Sequence, residues 1–259
     1  MNADASANLR HGTMLALVLS ESSFPGLLSM EGLQGLSAGI RRRWQRMRRR
    51  RTVGRAYDMA VEVGRVIPDR GRVLDVGCGN GFIAHHLTGM GSNVVGLDVG
   101  KSTDARIGYL RYDGRHFPVL SNSFDAVLLC YVLHHAQNFE LVMSEVRRVL
   151  RGEGLVVVYE DIPIGRWDRI VCGIHDRKWR HCRGPCTFQL EQAWRALFRA
   201  CGFEIVTERP LSRWRNVAHP VSRRFFVLKA NGVNADLTPS PRAESLAAAA
   251  LQAPVCATA

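Results

Sequence analysis

The chain has 259 residues, 46% of them hydrophobic, with seven cysteines and a formal net charge of +12, which is enough length and apolar content for one domain with a full core plus extensions. No apolar run approaches the roughly 20 residues of a membrane-spanning helix, and the short apolar stretch at 14–19 lacks the cleavage site of a signal peptide. The cysteines are odd in number and irregularly spaced, which argues against a disulfide framework and for a reducing, cytoplasmic compartment.

The charge is local. Arg41, Arg42, Arg43, Arg46, Arg48, Arg49, Arg50 and Arg51 lie together with no acid among them, so the basicity describes one segment and not the body of the protein. Residues 1–32, rich in Ala, Ser, Gly and Leu, show no sustained period and are expected to be unordered. From Leu33 onward, Leu33, Leu36, Ile40, Trp44 and Met47 recur at spacings of three and four, the signature of a basic amphipathic helix. Such a helix can lie on an anionic membrane surface; a solvated arginine run before the fold, or a segment absent from the mature protein, is the simpler account. Gly35 and Gly39 weaken it.

A helix is expected over 52–66, ended by Pro68. Strands then follow at 72–76, 93–97, 107–111, 124–130, 155–160, 203–207 and 224–228, alternating with helices at 82–90, 139–150 and 189–200, the order of a Rossmann-like, doubly wound α/β sheet. Residues 52–230 make the domain. The segment 231–259 turns to Ala, Ser, Pro and Thr with few large apolar residues and reads as a disordered tail; 1–51 is the N-terminal extension.

The first strand runs into Asp75-Val76-Gly77-Cys78-Gly79-Asn80-Gly81. Glycines at alternate positions between a strand and a helix allow backbone angles that a Cβ would obstruct and let a ligand approach the main chain. The spacing is not the Gly-x-Gly-x-x-Gly of dinucleotide sites. An aspartate inside the strand would repel a pyrophosphate but suits a ligand bearing an ammonium and a sulfonium. This motif resembles the first motif of class I S-adenosylmethionine-dependent methyltransferases.

That resemblance implies a seven-stranded, mostly parallel sheet with the last strand antiparallel, S-adenosyl-L-methionine as cofactor, and a helix before the first strand that helps to cover it. Asp98, at the end of the second strand, is placed to accept the ribose hydroxyls, a role that nicotinamide enzymes share, with Val99 beside it. Asp113 and Gly114 resemble the segment that meets the adenine, Asp113 accepting from its amino group and the Gly114 N–H donating; in isolation Asp113 also reads as a turn residue. Cys130 and Tyr131, after the fourth strand, would line the methionine end through backbone atoms. His134 and His135 follow, and an imidazole there either removes a proton from the acceptor or packs the next helix.

Two departures from the family pattern stand out. Glu153 and Gly152 alter a turn remote from the cofactor. The crossover between Asp98 and Asp113 is too short and polar for the usual helix, so a loop or single turn is expected. Beyond the fifth strand, 161–188 should face the acceptor. His175-Asp176 and Thr187-Phe188, with Trp194, Phe198 and Gly202-Phe203 further on, resemble the ubiquinone/menaquinone-type small-molecule methyltransferases, in which a histidine and neighbouring aromatics line the acceptor pocket. Arg166, Arg177, Lys178, Arg180 and Arg183 either favour an anionic acceptor or form a solvated face. Cys172, His175, His181, Cys182 and Cys186 match no common zinc-ligand spacing, and no metal is expected.

The expected function is therefore methyl transfer to a small-molecule or lipid-like acceptor. The absence of a Tyr-x-x-x-Lys pair disfavours a nicotinamide oxidoreductase. A nucleic-acid methyltransferase would suit the arginines but lacks the Asn-Pro-Pro-Tyr type of motif that serves flipped bases. A non-catalytic S-adenosylmethionine-binding module remains the third alternative.

Overall fold

The computed structural model describes residues 38–100 and 103–231. The expectations for 1–37 and 232–259 lie outside them. Helix α1 (Ala38–Gly64) leads into β1 (Arg72–Val76), α2 (Phe82–Gly89), β2 (Asn93–Asp98) and β3 (Gly108–Arg111). Then come β4 (Phe124–Cys130), a 3-10 turn (Leu133–His135), α3 (Phe139–Val149), β5 (Leu150–Asp161) and α4 (Arg166–Arg183). The chain closes with α5 (Glu191–Ala200), β6 (Phe203–Leu211), a second 3-10 turn (Arg213–Asn216) and β7 (Arg223–Ala230).

The seven strands form one sheet in the order β3-β2-β1-β4-β5-β7-β6. The first five pair in parallel, and β7 inserts antiparallel between β5 and β6. The central strands are covered on both faces, which explains their nearly continuous apolar sequence. Leu74, Val127, Leu129, Val156 and Val158 face one layer with Trp194 of α5 and Val146 of α3. Their alternate neighbours Val73, Ala126, Leu128 and Val157 face the other with Met59 and Val63 of α1 and Leu87 of α2. The two-residue side-chain period of a strand sorts the core into these layers.

The two expected helical stretches, the basic one from Leu33 and the one over 52–66, are continuous where described. Residues 38–64 form one helix, because arginine is a good helix former and no proline interrupts the run; Gly54 is accommodated on the exposed side. Among the described side chains of this helix, Ala56, Met59, Ala60 and Val63 of its second half pack into the core. Arg43, Arg46 and Met47 are exposed, so the apolar position at Met47 faces away from the fold. The side chains of Ile40 and Trp44, and all of Leu33 and Leu36, lie outside what is described.

The described part of the β2 to β3 crossover contains no helix, as its short polar sequence requires. It is tied down instead: the Tyr109 hydroxyl donates to the Gly100 carbonyl at 2.7 Å, and the Ala105 N–H to the Asn80 carbonyl at 3.1 Å. Strand β5 starts earlier than expected, at Leu150, with an irregular register between the pairs Phe124–Leu150 and Ala126–Leu155; the altered turn around Gly152 is absorbed there as a bulge. The segment 161–188, open in the sequence, is mostly the helix α4.

Candidate active site

At the C-terminal ends of β1, β2 and β4, where the strand order reverses and doubly wound folds bind ligands, lies a cavity of about 250 Å³. It gathers Asp75, Gly77, Cys78, Gly79, Gly81, Asp98, Cys130, Tyr131, His134 and His135, residues drawn from separate stretches of the sequence. Thr52, Arg55, Ala56 and Met59 of α1 close one side.

The glycine turn has the geometry its sequence requires. Gly77, Gly79 and Gly81 have φ of 68°, 52° and 72°, left-handed values that favour glycine. The two outer positions are also crowded: a Cβ on Gly77 would stand 2.4 Å from Val132 Cγ2, and one on Gly81 2.9 Å from Ile107 Cδ1. A Cβ on Gly79 would meet nothing within 4 Å, because that glycine borders the cavity. Gly77→Ala should therefore cost several kcal/mol of folding stability through strain and overlap. Gly79→Ala should cost about 1–2 kcal/mol while still weakening ligand binding strongly; thermal melts and ligand titrations of the two variants separate these effects, and equal melting losses would contradict the assignment.

Asp98 is buried. Its Oδ2 accepts from the Gly79 N–H at 2.8 Å and its Oδ1 from the Gly100 N–H at 2.9 Å, which fixes the carboxylate and leaves a lone pair on each oxygen for a hydroxyl donor. Asp75 differs. It is 1% exposed, and its Oδ2 has no hydrogen-bond partner. Burial, with Asp98 nearby, pushes its carboxyl up to about 7. Such an orphaned acceptor in the cavity wall is a seat for a cationic donor.

Burial, with Asp75 beside them, also holds the Cys78 and Cys130 thiols protonated, well above the usual thiol range. Tyr131 has φ 59°, strained for a bulky residue. It is held there by its N–H to the Tyr159 carbonyl at 2.8 Å.

Three expected residues lie outside the cavity lining. Val99 and Gly114 adjoin each other, a Cβ on Gly114 falling 3.6 Å from Val99 Cγ1. Asp113, whose side chain is 62% exposed, accepts from the Arg115 and His116 N–H groups at 2.8 and 2.9 Å. Through Oδ1 it caps its own turn, as the turn reading expects, and acceptance from an adenine amino group belongs with the proposed cofactor contacts.

The far wall holds a histidine cluster. His134 is buried, with Nδ1 2.6 Å from Glu160 Oε2 and its ring stacked on Phe188. The other Glu160 oxygen accepts from the Leu133 N–H at 2.8 Å, locking the carboxylate. His135 Nε2 lies 3.2 Å from His175 Nε2, and its Nδ1 3.3 Å from Cys186 Sγ. His175 is held neutral, its pKa lowered to about 3 by burial and by His134 and His219. His219 Nε2 lies 2.8 Å from Asp161 Oδ2, and Arg223 Nε lies 2.9 Å from Asp161 Oδ1. Against the effect of burial, Arg223 and His219 hold the Asp161 carboxyl well below the usual range.

Glu160, Asp161, His219 and Arg223 were not foreseen. A signal existed: Glu160 and Asp161 are carboxylates ending an apolar strand, the feature that singled out Asp98. Of the residues the resemblance assigns to the acceptor pocket, His175 lines the cavity and Phe188 stacks on His134.

Residues 74–158, a third of the chain, match the protein family described as a methyltransferase domain. Over 127 residues the chain is 34% identical to the sterol 24-C-methyltransferase of Schizosaccharomyces pombe, covering 44% of this chain and 32% of that protein. Over 132 residues it is 31% identical to the demethylmenaquinone methyltransferase of Renibacterium salmoninarum, covering 48% and 50%. The chain thus spans half or less of the length of these relatives. The fold is that of solved S-adenosylmethionine-dependent methyltransferases: one from Methanosarcina mazei superposes with a TM-score of 0.53 at 17% identity, over 65% of this chain and 96% of that one.

Proposed function

We propose that this chain, which carries a class I methyltransferase domain at its centre, is an enzyme that transfers a methyl group from S-adenosyl-L-methionine to a small-molecule or lipid-like acceptor. The observation that carries the reading is the polarity of the cavity: an orphaned carboxylate, a glycine cradle and Asp98 at one end, and clustered histidines at the other.

The residues present fit the methionine and ribose parts of the cofactor. Asp75 would take the ammonium, Gly79 gives open space for close approach, and Asp98 would take the ribose hydroxyls. When bound, the cofactor supplies a methyl group on a good leaving group, so the protein's contribution is alignment in a dry pocket and management of the acceptor's proton. Keeping Cys78 and Cys130 as thiols prevents nucleophilic thiolates from competing for that methyl. His134 and His135 stand where an acceptor's proton must leave. The sterol and quinone relatives support a ring-bearing or lipid-like acceptor.

The test is transfer of a labelled methyl group to phenol, quinol and sterol acceptors. Activity on one of them supports the reading; cofactor binding without transfer to any would favour the non-catalytic alternative. His135→Ala should lower kcat/KM by about 10²–10⁴ and leave cofactor affinity within twofold; an unchanged rate would remove the histidine from the chemistry.

The reading extends to location. The five described cysteines form no disulfide with one another, which supports a reducing, cytoplasmic setting. No helix among the described residues is long and apolar enough to cross a membrane. The exposed Arg43, Arg46 and Arg51 support peripheral contact with anionic lipid through 41–51; deleting 1–51 should abolish vesicle binding, and binding that survives would refute it.

A further inference from the structure

The sequence offers no metal motif because its cysteines and histidines are wrongly spaced along the chain. The fold cancels that objection. His134 and His135 come from the turn after β4 and His175 from α4, and one ring nitrogen of each lies within 4.8 Å of the others. Their ring centroids are 4.2, 5.1 and 5.4 Å apart, so three imidazoles converge on one point of the cavity wall.

We propose that His134, His135 and His175 form a site for a divalent transition metal, of the zinc class, with a coordination position open to the cavity. Three features carry it. First, tetrahedral ligation at metal–nitrogen distances of 2.0–2.1 Å requires nitrogens about 3.3 Å apart, and His135 Nε2 and His175 Nε2 are already 3.2 Å apart. Second, Glu160 accepts from His134 Nδ1, which fixes the tautomer and presents Nε2 with its lone pair. Glu160 is itself held by the Leu133 N–H. A buried carboxylate behind a histidine is the usual outer support of a metal-bound imidazole. Third, all three histidines line the cavity, so the remaining position faces the space where an acceptor would lie. Imidazoles without a carboxylate in the inner set suit zinc, cobalt or nickel better than magnesium or calcium. Cys186, 3.3 Å from His135 Nδ1, then supports that ring from behind, as Glu160 supports His134.

The consequence for chemistry rests on the methyl-transfer reading. A metal there would bind an ionisable acceptor oxygen such as a phenol or enol, lower its pKa and hold it as the anion. The acceptor's proton passes to solvent, the oxygen–carbon bond forms, and the sulfur–carbon bond breaks to leave a neutral thioether. The histidines would then serve as ligands and not as the terminal base.

Metal binding itself is tested without cofactor or acceptor. The full chain is stripped with chelator, titrated with Zn²⁺ alone, and separately with Co²⁺ while the visible absorption is followed. The expected result is one zinc per chain, with an intense cobalt absorption of tetrahedral nitrogen ligation. His135→Gln and His175→Gln should each weaken zinc by roughly 100-fold with unchanged circular dichroism, and Cys186→Ser should retain it. No stoichiometric zinc in the parent chain, or the weak cobalt absorption of an all-water shell, would overturn the site whatever the variants do. Undiminished zinc binding in the histidine variants, or its loss in Cys186→Ser alone, would overturn the three-histidine set. S-adenosylhomocysteine titration of the same stripped protein keeps the two readings separate: it binds whether or not the metal does.

Discussion

Asp75→Asn is expected to stabilise the ligand-free protein at pH 8 and to remove most of its affinity for S-adenosylmethionine. The Asp75 carboxyl has a folded pKa of about 7 against an ordinary value near 3.9 in the unfolded chain. Below the unfolded value both states hold the proton and the residue costs nothing. Between the two values the unfolded chain releases its proton while the folded one keeps it, so stability falls as pH rises. The full cost is reached above pH 7, where the buried carboxylate is ionised. It is of the order of 2–4 kcal/mol.

Asparagine is nearly isosteric with the protonated acid and does not titrate. The variant should therefore exceed the parent modestly at pH 5, where part of the cost is already present, and by several degrees in Tm at pH 8. Binding should move oppositely. An ammonium seated on Asp75 stabilises the ionised form, and losing that pair should weaken affinity by about 2–5 kcal/mol. For the parent chain, affinity should rise with pH up to about 7 and then level. Thermal melts and titrations across pH 5 to 8 check both arms, and a variant that binds as well as the parent would refute the ammonium seat.

A second large effect is expected at Arg223. This residue is 3% exposed and pairs with Asp161, also 3% exposed; the two are register partners on β7 and β5. The arginine also donates to the His219 carbonyl and stands over the Tyr131 ring at 5.6 Å. Arg223→Met leaves the Asp161 charge buried against His219 alone and should cost about 3–5 kcal/mol in urea unfolding. Adding Asp161→Leu removes the stranded charge and should recover most of that loss, because well-packed apolar residues can replace a buried pair. A single-variant loss below about 1 kcal/mol would mean that the pair behaves as an exposed one.

The fold was legible because its signals are local. Short apolar strands, a glycine turn and the helical stretches between them are each written within about ten residues, and the strand order follows from the family resemblance those signals support. The cofactor end was legible for the same reason: Asp75 to Gly81 is one continuous motif. Asp113 is harder to read, because Asp-Gly looks the same in sequence whether the carboxylate meets a ligand, caps its own turn through the Arg115 and His116 amides, or does both. The helix start was less legible than its end, because arginine extends a helix as readily as it is solvated and composition alone does not mark where Ala38–Gly64 begins.

The acceptor end was least legible. His134, His135, His175 and His219 come from three segments spread over 86 residues, and only the docking of α4 and the approach to β7 against the end of β4 bring them together. No spacing rule spans such distances.

The central claim is that the Asp75–Gly81 cradle holds a sulfonium nucleoside and not a nicotinamide dinucleotide. Calorimetric titration of the full chain with S-adenosylmethionine, S-adenosylhomocysteine and NADH tests it most directly. The account predicts binding of the two sulfur compounds, with proton release below pH 7 as Asp75 ionises, and no binding of NADH. Binding of NADH, or of none of the three, would contradict it.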